Sequence, residues 1–192
     1  MPRTGLSAEQ LKEKAIDATL VRVRRDGHDK VRLSDVARDI GVSHAALYPH
    51  FADKAALFDA MLERWLRDST ESLAAVTRRS GDAQARIVDW FVTLYRMKRS
   101  RALDDPAPFR AFDVASAVEK PFAIAHVKDL LGQLQELLAE AGVKDAREKA
   151  DLLFRATAAF HHPTLVTQSA HDDLEPQLRA IVRLMLRGMT SK

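Results

Sequence analysis

Apolar positions in this chain recur every three or four residues almost from end to end, and capping and breaking residues cut the pattern into helix-sized lengths. The first stripe, Leu11, Ala15, Ile16, Leu20 and Val23, follows Ser7-Ala8-Glu9-Gln10, which has the spacing of a capping box, and Gly27 ends it. Val36, Ala37 and Ile40 then share one face of a short helix, and Ala37 is small enough to let a second helix cross closely. Gly41 supplies the left-handed break that a Cβ resists. Ser43 restarts a helix as an N-cap toward the backbone N–H of Ala45 or Ala46, with Val42 and Leu47 at the two positions of a hydrophobic staple. Asp53 caps a longer helix in which Leu57, Phe58, Met61, Leu62, Trp65 and Leu66 repeat at helical spacing.

Five more helices follow from the punctuation. Ser80-Gly81-Asp82 opens one whose inner face is Ile87, Trp90, Phe91, Leu94 and Met97, and the stretch from Asp104 to Pro108 breaks it. A short helix carries Phe109, Phe112 and Ala115; the next starts at Lys120-Pro121, turns Ile124, Val127, Leu131, Leu134 and Leu138 inward, and stops at Ala141-Gly142. The last two span 145–169 and 173–188, the second capped by Asp173 and bearing Leu174, Leu178, Ile181, Val182, Met185 and Met189. No alternating pattern, repeat or low-complexity tract interrupts them. The expected fold is all-α, with about nine helices.

Composition agrees. Seven Gly and seven Pro in 192 residues leave long stretches free of helix breakers, and 46% hydrophobic content is enough to fill a core. The absence of cysteine removes disulfides, thiolate nucleophiles and sulfur metal ligands, as expected in a reducing cytoplasm. No apolar run approaches the roughly 20 residues that span a bilayer, and Met1-Pro2-Arg3-Thr4-Gly5 leads into a polar helix rather than a signal-peptide core. The net charge is +3, and residues 1–55 hold ten Lys and Arg against eight Asp and Glu. A balance that mild permits nucleic-acid binding without pointing to it, so the motif must carry the argument.

Two short helices hinged at Gly41, with a third following at once, are a helix-turn-helix, a motif that presents its second helix to the DNA major groove while the first crosses the backbone. The ordered run Val36-Ala37, Gly41-Val42-Ser43, Leu47-Tyr48, Phe51, Lys54 and Leu57 closely resembles the tetracycline-repressor (TetR) type of bacterial regulators, with Leu47-Tyr48, Phe51 and Lys54 as its most specific part. The resemblance implies a DNA-reading domain at 1–53 and a helical effector-binding and dimerisation domain at 54–192. It also implies phosphate contacts from Tyr48, His50 and Lys54. Arg32 stands where the family commonly has a capping Thr or Ser, and Pro49 removes an N–H that would extend the recognition helix, which affects base preference.

Base reading is expected from His44, Ala45 and Ala46 with Arg32, Ser34 and Asp35 of the preceding helix, and Ser43 beside them is a further candidate DNA contact; an alanine can meet a thymine methyl and a histidine nitrogen a base edge or phosphate. Arg22, Arg24 and Arg25 suit either DNA or the dipole at their own helix C-terminus. The resemblance further implies an effector cavity among the helices of residues 82–169, closed near Pro163, with Trp90, Phe91, Tyr95, Phe112, His126, Phe154 and His161 as candidate lining. Each of these is equally a core residue on spacing alone. Their character suits a small hydrophobic effector. The wide apolar face of Leu178, Ile181, Val182 and Met185 is the expected homodimer interface.

His161-His162-Pro163 lacks metal-ligand spacing, since neighbouring helical side chains diverge by about 100°. There is no G-x-S-x-G, P-loop, G-x-G-x-x-G or H-E-x-x-H run, so neither a cofactor, a metal nor an enzyme is expected. The leading expectation is a ligand-released repressor, dimeric on a pseudo-palindromic operator. Its alternatives are an effector-independent DNA-binding dimer and a small helical enzyme.

Overall fold

A computed structural model describes residues 5–190, and among these the chain forms nine α-helices and no strand. Of the polar leader, Met1–Thr4 lie outside the described residues. Helix α1 (Ala8–Asp26) starts in the predicted capping box: the Ser7 hydroxyl accepts from the Gln10 amide at 3.2 Å and the Gln10 side chain accepts from the Ser7 amide at 2.9 Å. Helix α2 (Leu33–Asp39) closes at Gly41, whose φ is +74°. There the Gly41 amide donates to the Arg38 carbonyl and the Val42 amide to that of Ala37, satisfying carbonyls that the helix end would orphan.

The expected recognition helix is shorter and tighter than its sequence pattern suggested. His44–Leu47 is a single 3₁₀ turn, and Ser43 does not cap it with its side chain. The Ala46 amide donates instead to the Ser43 carbonyl at 3.0 Å, the i→i+3 bond of a 3₁₀ turn, so the hydroxyl is not needed. Pro49, which lacks an N–H, follows immediately.

Helix α3 (Lys54–Thr77) is capped by the Asp53 carboxylate, which accepts from the Ala56 amide at 2.8 Å; α4 (Ala83–Asp104) is capped by Asp82 in the same way at 2.7 Å. Then come α5 (Pro106–Ala117), α6 (Pro121–Glu140), α7 (Ala146–Ala156), α8 (Pro163–Gln168) and α9 (Glu175–Thr190). Pro106, Pro121 and Pro163 all sit in a first turn, where their missing N–H costs nothing.

Two apolar cores share α3. One joins α1, α2 and the 3₁₀ turn to Leu57, Phe58, Met61, Leu62, Trp65 and Leu66, and continues into Phe109 and Phe112 of α5. The other joins Leu73 and Val76, on the far end of α3, to α4, α6, α7 and α9. The 53/54 boundary expected from sequence therefore falls where α3 enters a core common to both parts. Polar contacts reinforce this junction. Asp105, between α4 and α5, accepts two bonds from Arg24 of α1 at 2.9 and 2.7 Å and one from the Trp65 indole of α3 at 3.2 Å. Arg101 stacks 3.9 Å above the same indole, and Lys120 pairs with Asp59 at 2.9 Å.

Three expectations are corrected at the level of elements. Helix α6 buries Ala123, His126, Leu130, Leu134, Leu137 and Leu138, leaving Ile124 and Val127 exposed, because a polar His takes an inner position that the apolar count had assigned elsewhere. The span 145–169 is two helices separated by a 3₁₀ turn at Ala158–Phe160, since Pro163 begins α8 and holds His162 in extended backbone. Finally, α9 starts at Glu175, whose amide donates to Asp173 at 3.2 Å.

Candidate DNA-reading surface and cavity

The packing of α1, α2 and α3 holds the 3₁₀ turn on the outside of the first core. Leu47 and Phe51 are buried and anchor the turn, while Ser43, His44, Ala45 and Tyr48 are exposed, Ala46 and His50 half-buried. The Tyr48 ring, 51% exposed, meets the His44 ring edge to face at 5.0 Å, so the two exposed rings form one unit. Arg32 and Ser34 are exposed beside it. The Ser43 hydroxyl has no hydrogen-bond partner among the described residues.

Lys54 is differently placed from a free surface cation. Its ammonium donates to the carbonyls of His28 and Asp29 at 3.3 and 3.2 Å and lies 5.1 Å from the Phe58 ring centre, tying the α1–α2 turn to the start of α3. One N–H is left for an outside acceptor. The three arginines at the end of α1 are all paired within the protein: Arg22 with Asp39, Arg24 with Asp105 and Arg25 with Asp26.

Of the seven candidate cavity residues, Phe112, His126, Phe154 and His161 surround one space of about 350 Å³, together with Lys98, Ser116, Val127, Leu130, Leu131, Asp151, Arg155, Ala158, His162 and Pro163. Trp90, Phe91 and Tyr95 do not. They lie nearer the start of α4 and fill the second core, where Trp90 and Phe91 pack at right angles 5.0 Å apart. The Trp90 indole donates to Gln133 at 3.0 Å, and the Tyr95 hydroxyl joins the Asp172 carbonyl to the Leu174 amide at the entry to α9. Their position is a matter of level along the helix, since Phe91, Tyr95 and Lys98 share a face of α4 and Lys98, one to two turns nearer its end, is the α4 residue that lines the cavity.

Lys98 is the residue that a reading of apolar stripes missed. It is 6% exposed, its ammonium lies 4.4 Å from the Phe112 ring centre, and its one hydrogen-bond partner among the described residues is His126 Nε2 at 3.3 Å. Because Lys98 donates, Nε2 must carry the lone pair and Nδ1 the proton. That proton is donated to Thr70 Oγ1 at 2.9 Å, and Thr70 donates to the Leu66 carbonyl at 3.2 Å, linking the cavity to α3. Burial pushes Lys98 down to about 7, with the Arg101 charge adding to the effect. Burial also pushes His126 down to about 2 and His161 to about 4, the latter partly offset by the 2.9 Å bond to the Phe154 carbonyl. The His161 and Phe154 rings stack 4.0 Å apart.

The proposed dimer face needs one correction. Leu178 and Val182 are fully buried within their own protomer against α4, so they have no surface to offer a second chain. Met185 is half-buried on the same core. Ile181 and, beyond the residues expected, Leu184 are exposed, at 36% and 70%. The wide apolar stripe of α9 is therefore mostly core. No group of three or more potential metal ligands occurs among the described residues, and no helix there is long and apolar enough to cross a membrane.

Residues 15–61 match the family model of bacterial regulatory proteins of the tetR family, and residues 83–182 match the tetracyclin repressor-like C-terminal domain. Over 83 residues the chain is 37% identical to the HTH-type transcriptional regulator BetI of Agrobacterium fabrum, a match covering 42% of this chain and 39% of that protein. It is 42% identical over 55 residues to the HTH-type transcriptional repressor Rv1474c of Mycobacterium tuberculosis, covering 29% and 27%. The chain thus spans well under half the length of these curated relatives. A solved transcriptional regulator from Rhodococcus sp. Rha1 shares the fold at a TM-score of 0.65 and 21% identity, over 94% of this chain and 98% of that one.

Proposed function

Because this chain belongs to the tetR family of bacterial regulatory proteins, we propose that it is a cytoplasmic, homodimeric DNA-binding repressor released from its operator by a small effector. In this reading residues 1–53 read DNA and residues 54–192 hold the effector and the partner. His44, Ala45 and Ala46 face base edges with Arg32 and Ser34, Tyr48 and His50 hold the phosphates beside Ser43, and Lys54 adds its remaining N–H. Ile181 and Leu184 lie in the dimer contact. Repression agrees with the mycobacterial relative, itself an HTH-type transcriptional repressor.

The observation that carries the reading is the chain of contacts from the cavity to α3, the helix that packs against the turn. Lys98 and His126 reach α3 through Thr70, and one turn further along α4, Arg101 grips Trp65 beside the Asp105–Arg24 pair. An effector that prefers a different setting of α3 would move the turn anchored at its start. An effector-independent binder has no use for this linkage.

Selection of bound fragments from genomic DNA by the full chain tests the proposal. The expected product is a pseudo-palindrome with half-sites separated by about one helical turn, roughly 34 Å, or a small multiple of it. Tyr48→Ala should weaken binding to all enriched fragments alike, whereas His44→Ala should shift base preference. No enrichment above a random pool overturns the reading.

A further inference from the structure

We propose that the cavity takes a small carboxylate with an apolar body, its headgroup paired with the Lys98 ammonium. The inference rests on reading this cavity as the effector site and names the chemistry of what enters it. Its walls are aliphatic and aromatic, from Phe112, Leu130, Leu131 and Phe154, and a volume of about 350 Å³ lies near the lower limit for small-molecule sites. That size favours a compact ligand.

The charge inside such a space decides the ligand class. A buried ammonium normally has an acidic partner, because an uncompensated charge in an apolar interior is costly. Lys98 has none among the described residues, and its single bond, to His126, leaves two donors unused. The groups around it are of one sign or neutral: Arg101 on α4, His126 on α6, and His161 and His162 after the 3₁₀ turn. The only lining carboxylate among the described residues, Asp151 of α7, is bonded to Arg155 at 2.7 Å. Phe112 supplies a ring face to the ammonium but cannot neutralise it. A carboxylate would supply the missing negative charge and accept the two idle N–H groups while its apolar part covers the walls.

Binding an anion must also return a proton. Near pH 8 burial keeps Lys98 mostly neutral, His126 and His161 are neutral, and Arg101, at about 10, stays charged. Pairing with a carboxylate restores the ammonium, so the complex takes up a proton as it forms. Neutral ligands take up none.

Calorimetric titration of the full chain at pH 8, in two buffers of different ionisation enthalpy, decides the matter. The probes are hexanoate, octanoate and 3-phenylpropanoate beside their primary amides. A carboxylate of the series should bind about 10- to 100-fold more tightly than its amide, the strength of a charge-assisted bond, with proton uptake. Lys98→Met should abolish both the preference and the uptake, and Lys98→Arg should keep the preference without the uptake. Amides binding as well as carboxylates, no carboxylate binding at all, or binding without proton uptake by the wild type each overturn the proposal, and the last needs no variant to fold. Failure of DNA-fragment selection leaves these titrations untouched, while failure of the titrations leaves operator binding intact, so the two readings fall separately.

Discussion

Three buried ionisable side chains give the molecule a pH signature of its own. His126 and His161, at about 2 and 4 when folded, sit below their ordinary 6.5, so on acidification the unfolded chain gains protons that the folded one refuses. Their contribution to stability is present above pH 6.5 and is lost as the pH falls toward the folded values. Lys98, at about 7 against 10.5, acts at higher pH: between those values the unfolded chain holds the extra proton, and stability rises as pH rises. Urea midpoints should therefore increase from pH 5 to 7 and again from 7 to 9, and Lys98→Met should flatten the second rise. A variant with the wild-type slope between 7 and 9 would place Lys98 outside this account. None of the three was legible as a perturbed group from sequence. His126 and His161 were visible as candidate cavity lining, and Lys98 as one basic residue among several, because what perturbs them is burial by helices distant in sequence.

Helix ends were the most readable elements and helix phase the least. Ser7, Gly41, Asp53 and Asp82 act locally, through a side chain or a φ that three or four neighbouring residues determine, and all four mark the ends at which they stand. The inner face of α6 depends on what packs against it, and there Ile124 was displaced by His126, whose buried bonds come from α3 and α4. The break after α7 follows from Pro163, which fits a first turn better than a helix interior. One end was not legible at all. Glu119 takes φ +53° beyond α5, its amide donating to Ser116 and that of Lys120 to Ala115, a geometry that normally calls for glycine. Glu119→Gly should raise the unfolding free energy by about 0.5–1 kcal/mol, since relief of the left-handed strain exceeds glycine's added freedom in the unfolded chain. Chemical denaturation reads the change directly, and a loss of stability would mean that the strain is already relieved.

At the scale of the molecule, two cores threaded by one helix make the reading turn and the cavity parts of a single packed body. The helix-turn-helix was legible because its residues lie within one short stretch; the pairing of Lys98 with His126 and Thr70 was not, because it joins three helices. The proposed dimer contact follows the same logic: Val182 looked like interface on spacing and is core, whereas Leu184 is exposed. Leu184→Asp should yield folded monomers in sedimentation with operator affinity lost, and Val182→Asp should fail to fold because its charge would be buried unpaired. A dimeric Leu184→Asp protein would move the interface elsewhere. The central claim is that cavity and reading turn are energetically coupled, and thermodynamic linkage tests it without reference to pathway. Operator affinity should be measured with and without a saturating cavity ligand, and ligand affinity with and without saturating operator. The account predicts that each weakens the other by the same factor, about 5- to 150-fold; two affinities indifferent to one another would contradict it.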